Sequence, residues 1–290
     1  MHEASTHNRI ERRLFMFGCQ RSGTTLLQVA LARHPDIYST PETEFFRNTV
    51  GSRRGWLARL GLTTGKERHG LRKTCEAMRL DGQPLEYKPS LFYRTTVDTF
   101  RDYLDSQALR AGCSMWLEKS PEHLFHVDVI RKYMPNARFI HIFRRGEDVL
   151  GSILDRAFKY LHPASRLRDP MDGVQRWNRA IHESLRYVDS PGHAFVEFES
   201  LARVPEVTLR RLCRQLDIPY VPELTDSGEL DQVISRSRPH LANSSDPIEM
   251  PESKFEALVP DEDKEQVLDA LDTEAHQQLV DRFGLPDAGE

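Results

Sequence analysis

The sequence has few of the features that mark secreted or membrane-spanning proteins. It has four cysteines in 290 residues, and they are scattered, without a C-x-x-C pair or metal-ligand spacing. No apolar run approaches the roughly 20 residues that a membrane-spanning helix needs. Residues 1–13 lack the apolar core of a signal peptide and are predicted to form a flexible N-terminal segment. Scattered cysteines are typical of a reducing compartment, so we expect a cytoplasmic protein.

The charge balance excludes a second class of function. The formal net charge is −4, so the chain as a whole does not attract nucleic acid, and any anion site must be local. Hydrophobic residues make up 39% of the sequence and charged residues 29%, as in ordinary globular proteins. The chain has room for one large domain or two small ones. Because no linker divides it, we predict a single domain over residues 14–290.

Short apolar strands alternate with helical patterns along the chain. Strand patterns occur at residues 14–17, 36–39, 114–119, 138–143 and 194–198, and helical patterns follow them. This alternation predicts an α/β fold in which helices flank a mostly parallel sheet. Ligands of such sheets bind at the carboxyl ends of the strands.

Three segments depart from this alternation. Residues 48–111 have helical patterns interrupted by glycines, and we predict a helical excursion on the acceptor side of the site. Residues 225–254 are rich in serine, proline, aspartate and asparagine, and form a candidate lid loop that carries Arg236, Arg238 and His240. Residues 261–283 are predicted to form one acidic-then-apolar helix.

The most informative stretch is LFMFGCQRSGTTLL, near the N-terminus. It combines an apolar run, a glycine-bounded turn rich in hydroxyl groups, and a helix that starts near Thr24 or Thr25. Gly18 and Gly23 bracket four residues, the spacing of a loop whose backbone N–H groups and helix N-terminus hold a phosphate. A nucleoside triphosphatase has a lysine where this sequence has Thr24. Arg21 is the only charge inside the loop.

The segment GCQRSGTTLL resembles the 5′-phosphosulfate loop of sulfotransferases that use 3′-phosphoadenosine 5′-phosphosulfate (PAPS). The resemblance is to the subgroup with R-S-G-T-T, which includes the tyrosylprotein sulfotransferases and many bacterial relatives. It implies a P-loop-like sulfotransferase fold with PAPS as co-substrate. It also implies that the phosphosulfate is bound by the loop residues Arg21, Ser22, Gly23, Thr24 and Thr25.

Two further segments resemble the same family. In RFIHIFRRGEDVLGSIL, Arg144 and Ser152 match the arginine and serine that bind the 3′-phosphate of the cofactor. A guanidinium group makes bidentate contacts with phosphate, which suits this role. In WLEKSPEHL, Lys119 matches the lysine of the family's K-x-P element, which approaches the oxygen bridging sulfate and phosphate. A cation there stabilises the charge that develops on the leaving group.

The resemblance also implies a general base. In the family this is a glutamate 21 residues beyond the loop arginine, and counting from Arg21 leads to Glu42. A carboxylate within hydrogen-bond reach of the acceptor hydroxyl can accept its proton. Glu44 is the alternative. Some sulfotransferases use a histidine, but His123 and His141 are expected to be structural.

The implied activity is sulfuryl transfer from PAPS to an acceptor hydroxyl by in-line attack, with Glu42, Lys119 and Arg21 as catalytic residues. Protein cations neutralise the charge in this scheme, so no metal is required. The acceptor stays open among small molecules, glycolipids and peptide hydroxyls. Two other functions also stay open: a P-loop kinase, which needs the missing lysine and a carboxylate to organise magnesium, and a non-catalytic nucleotide-binding protein.

Overall fold

The sheet of the protein has five strands and is mostly parallel. The computed structural model describes residues 9–50, 55–78, 89–162, 165–226 and 248–285. Strands β1 and β2 both pair in parallel with β3, which confirms the predicted fold class. In the order β2-β3-β1-β4-β5, the strands are Arg12–Gly18 (β1), Ile37–Ser39 (β2), Met115–Lys119 (β3), Ala137–Phe143 (β4) and His193–Glu197 (β5).

Helices connect the strands and follow the last one. No helix in the described part of the chain is both long and apolar enough to cross a bilayer. Short 3₁₀ helices lie at Pro121–His126, Arg166–Arg168 and Pro222–Thr225. The α-helices are Thr24–Ala32 (α1), Phe45–Val50 (α2), Gly55–Leu60 (α3), Glu67–Met78 (α4), Tyr93–Arg110 (α5), Val127–Tyr133 (α6), Gly146–Tyr160 (α7), Pro170–Leu185 (α8), Phe198–Arg203 (α9), Pro205–Leu216 (α10), Phe255–Leu258 (α11), Asp261–Ala270 (α12) and Thr273–Phe283 (α13).

Both ends of the chain differ from the sequence prediction. Strand β1 begins at Arg12, inside the segment expected to be flexible, and Arg12 pairs with Met115 of β3. The predicted C-terminal helix is two helices, because Asp272 accepts a hydrogen bond from the backbone N–H of Ala275 (3.0 Å) and thereby caps a new helix. Residues 227–247, which carry the basic residues of the candidate lid loop, lie outside the described residues.

The chain forms two compact units, and an aromatic cluster fills the core of the first. Phe15 is fully buried on β1, within an apolar run typical of a strand covered on both faces. Its ring centroid lies 5.2 Å from that of Trp116, 6.0 Å from that of Phe46 and 6.1 Å from that of Phe139. Contacts of this kind make aromatic rings the largest contributors to a core.

The second unit has a buried histidine in its core. His141 on β4 packs edge-on against Phe17, with 4.7 Å between ring centroids. Its ring nitrogens lie 3.1 Å from the hydroxyl of Ser184 and 2.8 Å from Nδ1 of His193. Burial, together with His193, holds the pKa of His141 well below its usual range, so the imidazole is neutral. These contacts give His141 a structural role.

A carboxylate on α5 ties this helix to β1 and β3 in the first unit. Asp105 accepts hydrogen bonds from Nε of Arg13 (3.0 Å) and from Nε1 of Trp116 (2.7 Å). A second guanidinium nitrogen of Arg13 lies 2.5 Å from the other carboxylate oxygen, so the ion pair is bidentate. Because the group is largely shielded from water, loss of the charge leaves both donors poorly satisfied.

We expect Asp105→Asn to lower the free energy of unfolding by about 2 kcal/mol, the usual cost of breaking a charge-assisted network that is partly buried. The control is Asp102→Asn on the same helix, because the Asp102 side chain is 65% exposed and its ion pair is worth at most about 0.5 kcal/mol. Urea denaturation of both variants measures the difference. Equal losses would show that the Asp105 network adds nothing beyond a surface ion pair.

Candidate active site

The loop between β1 and α1 contains one position, Gly23, whose backbone conformation and close packing only glycine can adopt. Gly23 has a φ of +89°, and a Cβ atom added there would lie 2.2 Å from the ring of Phe198. Arg21 has a φ of 73°, so the loop arches just before it enters the helix. Helix α1 then begins at Thr24, as predicted, with its N-terminal amides following directly after the arch.

A cavity of about 250 Å³ opens beside this loop. Among its lining residues are six of the seven that the sequence assigned to the donor, namely Arg21, Gly23, Thr24, Thr25, Arg144 and Ser152. Nε of Arg21 donates a hydrogen bond to the hydroxyl of Ser152 (2.9 Å), which joins two residues 131 positions apart. The structure therefore brings the loop and the second motif to one place in the second unit.

The ring of Phe198 also supports Arg144. The guanidinium carbon of Arg144 lies 4.4 Å from the ring centroid, and the residue is 5% exposed. The indole N–H of Trp177 donates to the carbonyl oxygen of Arg144 (2.9 Å), which fixes its backbone. The position of this arginine is thus set by two buried aromatic residues.

The electrostatics of the cavity suit an anion. Burial lowers the pKa of both arginines, and Arg156 lowers that of Arg21 further, although an arginine stays protonated. The hydroxyl of Ser22 and Nε of Arg144 are buried, and neither has a hydrogen-bond partner among the described residues. Buried polar atoms without a partner are rare in proteins and need an explanation. A bound phosphate or sulfate group would satisfy both.

Some residues that line the cavity were missed at the sequence level. Asp148, four residues after Arg144 on α7, has a carboxylate oxygen 3.8 Å from that arginine and 3.0 Å from a guanidinium nitrogen of Arg145. The i, i+4 spacing after Arg144 was the available signal for Asp148. Lys254 lines the same cavity and makes an ion pair with Asp155 (2.8 Å). No motif in the sequence distinguishes this lysine.

The predicted catalytic residues Glu42 and Lys119, and the alternative base Glu44, lie in the first unit. Lys119, at the end of β3, is 1% exposed and makes an ion pair with the carboxylate of Glu42, whose side chain is 25% exposed. Glu44 has a more exposed carboxylate that pairs with Arg47 (2.7 Å). Glu42 thus has a buried cation as partner, whereas Glu44 has a solvated one. The two glutamates line one cavity of about 380 Å³.

The described residues contain no group of three or more His, Cys, Asp or Glu side chains that could hold a metal ion. All four cysteines are free.

Comparisons with known proteins give a consistent family. The model described as "Sulfotransferase family" matches residues 13–223. The protein-tyrosine sulfotransferase of Drosophila melanogaster is 26% identical over 218 residues, which cover 74% of this chain and 40% of that protein. Protein-tyrosine sulfotransferase 1 of Danio rerio is 27% identical over 225 residues, which cover 75% and 56% respectively. The chain thus spans about half the length of these two relatives.

A solved structure has the same fold. The sulfotransferase domain from the Synechococcus PCC 7002 olefin synthase superposes with a TM-score of 0.54 at 20% sequence identity, covering 99% of this chain and 100% of that one. The family model matches well over half of the sequence and includes the glycine loop, Glu42, Lys119 and the Arg144–Ser152 segment. On this basis, the chain belongs to the sulfotransferase family.

Proposed function

We propose that the protein transfers a sulfuryl group from PAPS to an acceptor hydroxyl. The observation that carries the proposal is the cavity in the second unit, where the glycine loop, Arg21, Arg144 and Ser152 surround buried polar atoms that lack partners. PAPS has phosphate groups at both ends of its ribose, and this cavity has an arginine from each of two motifs. Membership of the sulfotransferase family supports the same donor.

The donor's two charged ends have separate partners in this scheme. The 5′-phosphosulfate binds the backbone N–H groups of the loop, the hydroxyl groups of Ser22, Thr24 and Thr25, and Arg21. The 3′-phosphate binds Arg144 and Ser152, where the guanidinium group supplies parallel hydrogen bonds. The bisphosphate therefore has cations and hydroxyl groups for both ends.

The transfer step follows from the charges available. The acceptor oxygen attacks sulfur, a new S–O bond forms, and the bond from sulfur to the bridging oxygen breaks with its electron pair left on the phosphate. Glu42 accepts the proton of the acceptor hydroxyl. Lys119 and the loop N–H groups stabilise the negative charge that develops on the leaving oxygen. The ion pair between Glu42 and Lys119 supports this division of roles, because it fixes the orientation of both groups.

The cavity beside Glu42 favours a polar acceptor. Its described lining residues include Glu42, Glu44, Asn48, Lys73 and Glu76, whereas Ala77 is the apolar one among them. Hydrogen-bonding groups of this density suit a polyhydroxylated molecule such as a sugar better than a flat phenol, which needs an apolar slot. Among the acceptor classes left open by the sequence, we favour a sugar-containing one.

The two competing functions make different demands on the site. A P-loop kinase needs a lysine after Gly23 to hold the β- and γ-phosphates, and Thr24 occupies that position. A non-catalytic nucleotide-binding protein does not require a carboxylate such as that of Glu42, oriented by the buried Lys119. The pairing of Glu42 with Lys119 therefore favours an enzyme.

The first prediction concerns the donor. We expect calorimetry to show that adenosine 3′,5′-bisphosphate binds at least about tenfold more tightly than ATP with magnesium, and that its binding needs no metal, because each phosphate then meets its own arginine. Tighter binding of magnesium–ATP would contradict the sulfotransferase proposal and favour the kinase.

The second prediction concerns the base. Glu42→Gln is expected to lower kcat by about 100-fold or more, the usual contribution of a general base, and to leave the affinity for adenosine 3′,5′-bisphosphate unchanged. Glu44→Gln is the matched control: Glu44 lines the same cavity, but its carboxylate is paired with the exposed Arg47, so kcat should stay within about threefold and any loss should fall on the KM of the acceptor. Both are measured with a radiolabelled sulfuryl donor. The reverse order would move the role of base to Glu44.

The third prediction concerns the 3′-phosphate. Arg144→Ala should raise the Kd of adenosine 3′,5′-bisphosphate by roughly 10- to 100-fold, the loss expected for hydrogen bonds to a charged group. The loss should be smaller for adenosine 5′-phosphate, which lacks the 3′-phosphate. Arg145→Ala serves as control, because the Arg145 side chain is 54% exposed and does not line the cavity. An equal loss of affinity for both nucleotides would contradict the assignment of Arg144 to the 3′-phosphate.

A further inference from the structure

The last two residues of β3 differ in the way they are used. Lys119 reaches the carboxylate of Glu42, as described above, whereas Glu118 points to the other face of the strand and is completely buried. A buried carboxylate is costly unless it is fully hydrogen-bonded. The mechanism proposed above does not use Glu118, so a second charged residue in this buried strand needs an explanation.

Glu118 accepts four hydrogen bonds. Its Oε1 atom accepts from the backbone N–H of Thr43 (3.1 Å), from the hydroxyl of Thr43 (2.7 Å) and from the hydroxyl of Ser120 (2.6 Å). Its Oε2 atom lies 2.8 Å from Nδ1 of His123. Burial alone would raise the pKa of Glu118, but His123, Ser120 and Thr43 outweigh it and hold this pKa below its usual range. Glu118 is therefore an ionised, fully satisfied carboxylate.

The network satisfies four consecutive backbone N–H groups. Besides the N–H of Thr43, that of Glu44 donates to the hydroxyl of Ser120 (3.0 Å), and that of Phe45 donates to the hydroxyl of Thr43 (3.3 Å). The N–H of Phe46 donates to Nε2 of His123 (3.1 Å). Because Nε2 accepts, the ring proton lies on Nδ1 and is donated to Glu118.

Three of these N–H groups, those of Glu44, Phe45 and Phe46, lie at the start of helix α2, where backbone N–H groups have no intrahelical partner. In most helices one side chain caps one or two such groups. Here a set of side chains anchored on Glu118 covers three of them, together with the N–H of Thr43 just before the helix, across the turn where Glu44 has a φ of 47°. A non-glycine residue in the left-handed region is held there by its surroundings. The backbone next to Glu42 is thus fixed through β3.

We propose that Glu118, acting through Thr43, Ser120 and His123, is a positioning residue that holds the turn carrying Glu42 in its catalytic geometry. This inference rests on the proposed function, in which Glu42 is the base. The neighbouring residues Glu118 and Lys119 then fix the same glutamate in two ways, the first through its backbone and the second through its side chain. A base displaced by about 1 Å loses on the order of 100-fold in rate, so a rigid support has a direct catalytic value.

Glu118→Gln in the full chain tests the proposal. Both carboxylate oxygens of Glu118 accept hydrogen bonds, whereas glutamine has an NH₂ group in place of one of them. This NH₂ group would face another donor, so at least one hydrogen bond of the network is lost. We expect hydrogen exchange of the backbone N–H groups of residues 43–46 to become at least about tenfold faster. We also expect kcat to fall by about 10- to 100-fold, and the Kd of adenosine 3′,5′-bisphosphate to stay within about twofold.

Asp105→Asn is the matched control, because it also removes a carboxylate charge from a hydrogen-bonded network of the first unit, but that network joins Arg13 and Trp116 and not the backbone of residues 43–46. It should lower the melting temperature and leave kcat within about twofold at temperatures where it is folded. Should Glu118→Gln fail to fold, Ser120→Ala takes its place. This variant removes one hydroxyl, and we expect a three- to tenfold loss of kcat with faster exchange at Glu44.

Two results would overturn the inference alone. One is an active wild-type enzyme whose Glu118→Gln variant has faster exchange at residues 43–46 but unchanged kcat. The other is an equal loss of kcat in Glu118→Gln and Asp105→Asn, which would mean a general effect of stability. A wild-type protein that binds the bisphosphate but transfers no sulfuryl group would overturn the proposed function, and with it the catalytic meaning of the network.

Discussion

The glycine loop that we propose as the donor site depends on the contact between the ring of Phe198 and Gly23. The ring leaves no room for a side chain on the loop, and the same ring lies under the guanidinium group of Arg144. Phe198, the first residue of α9, therefore constrains both the backbone of the loop at Gly23 and the position of the Arg144 guanidinium group. Contacts that constrain a binding loop before a ligand arrives reduce the entropy lost on binding.

In the first unit, charged residues and not an aromatic ring position the backbone and side chain of a proposed site residue, Glu42. Glu118 and Lys119 are adjacent in the sequence, and the alternation of the strand sends their side chains in opposite directions. Four hydrogen bonds offset the cost of desolvating the Glu118 carboxylate. The ammonium group of Lys119 has the carboxylate of Glu42 as its partner. A buried charge that is fully paired adds little net stability, whereas removal of one partner is costly, because the other charge then stays buried without compensation.

Much of the fold could be predicted from the sequence, because strand and loop signals are local. Four of the five strands lie within one residue of their predicted bounds, and helix α1 begins where the glycine loop ends. The helix break at Asp272 was missed, since an N-cap inside a continuous helical pattern resembles any other polar residue. Glu118 was missed for a different reason: its partner Thr43 is 75 positions away, and no periodicity reports such a contact. Roles carried over from the family, such as that of Glu42, could be stated but not tested by pattern.

The hydrogen bond between Arg21 and Ser152 has a consequence for how a nucleotide is recognised. In the proposed function, Arg21 binds the 5′-phosphosulfate and Ser152 binds the 3′-phosphate. In the structure, the two side chains are hydrogen-bonded to each other. A ligand with one phosphate takes one partner away and leaves the other without its hydrogen bond, whereas a ligand with both phosphates compensates both. The energies of the two contacts are then not independent. Under the proposed function, the site therefore discriminates between nucleotides by the number of their phosphates as well as by the positions of those phosphates.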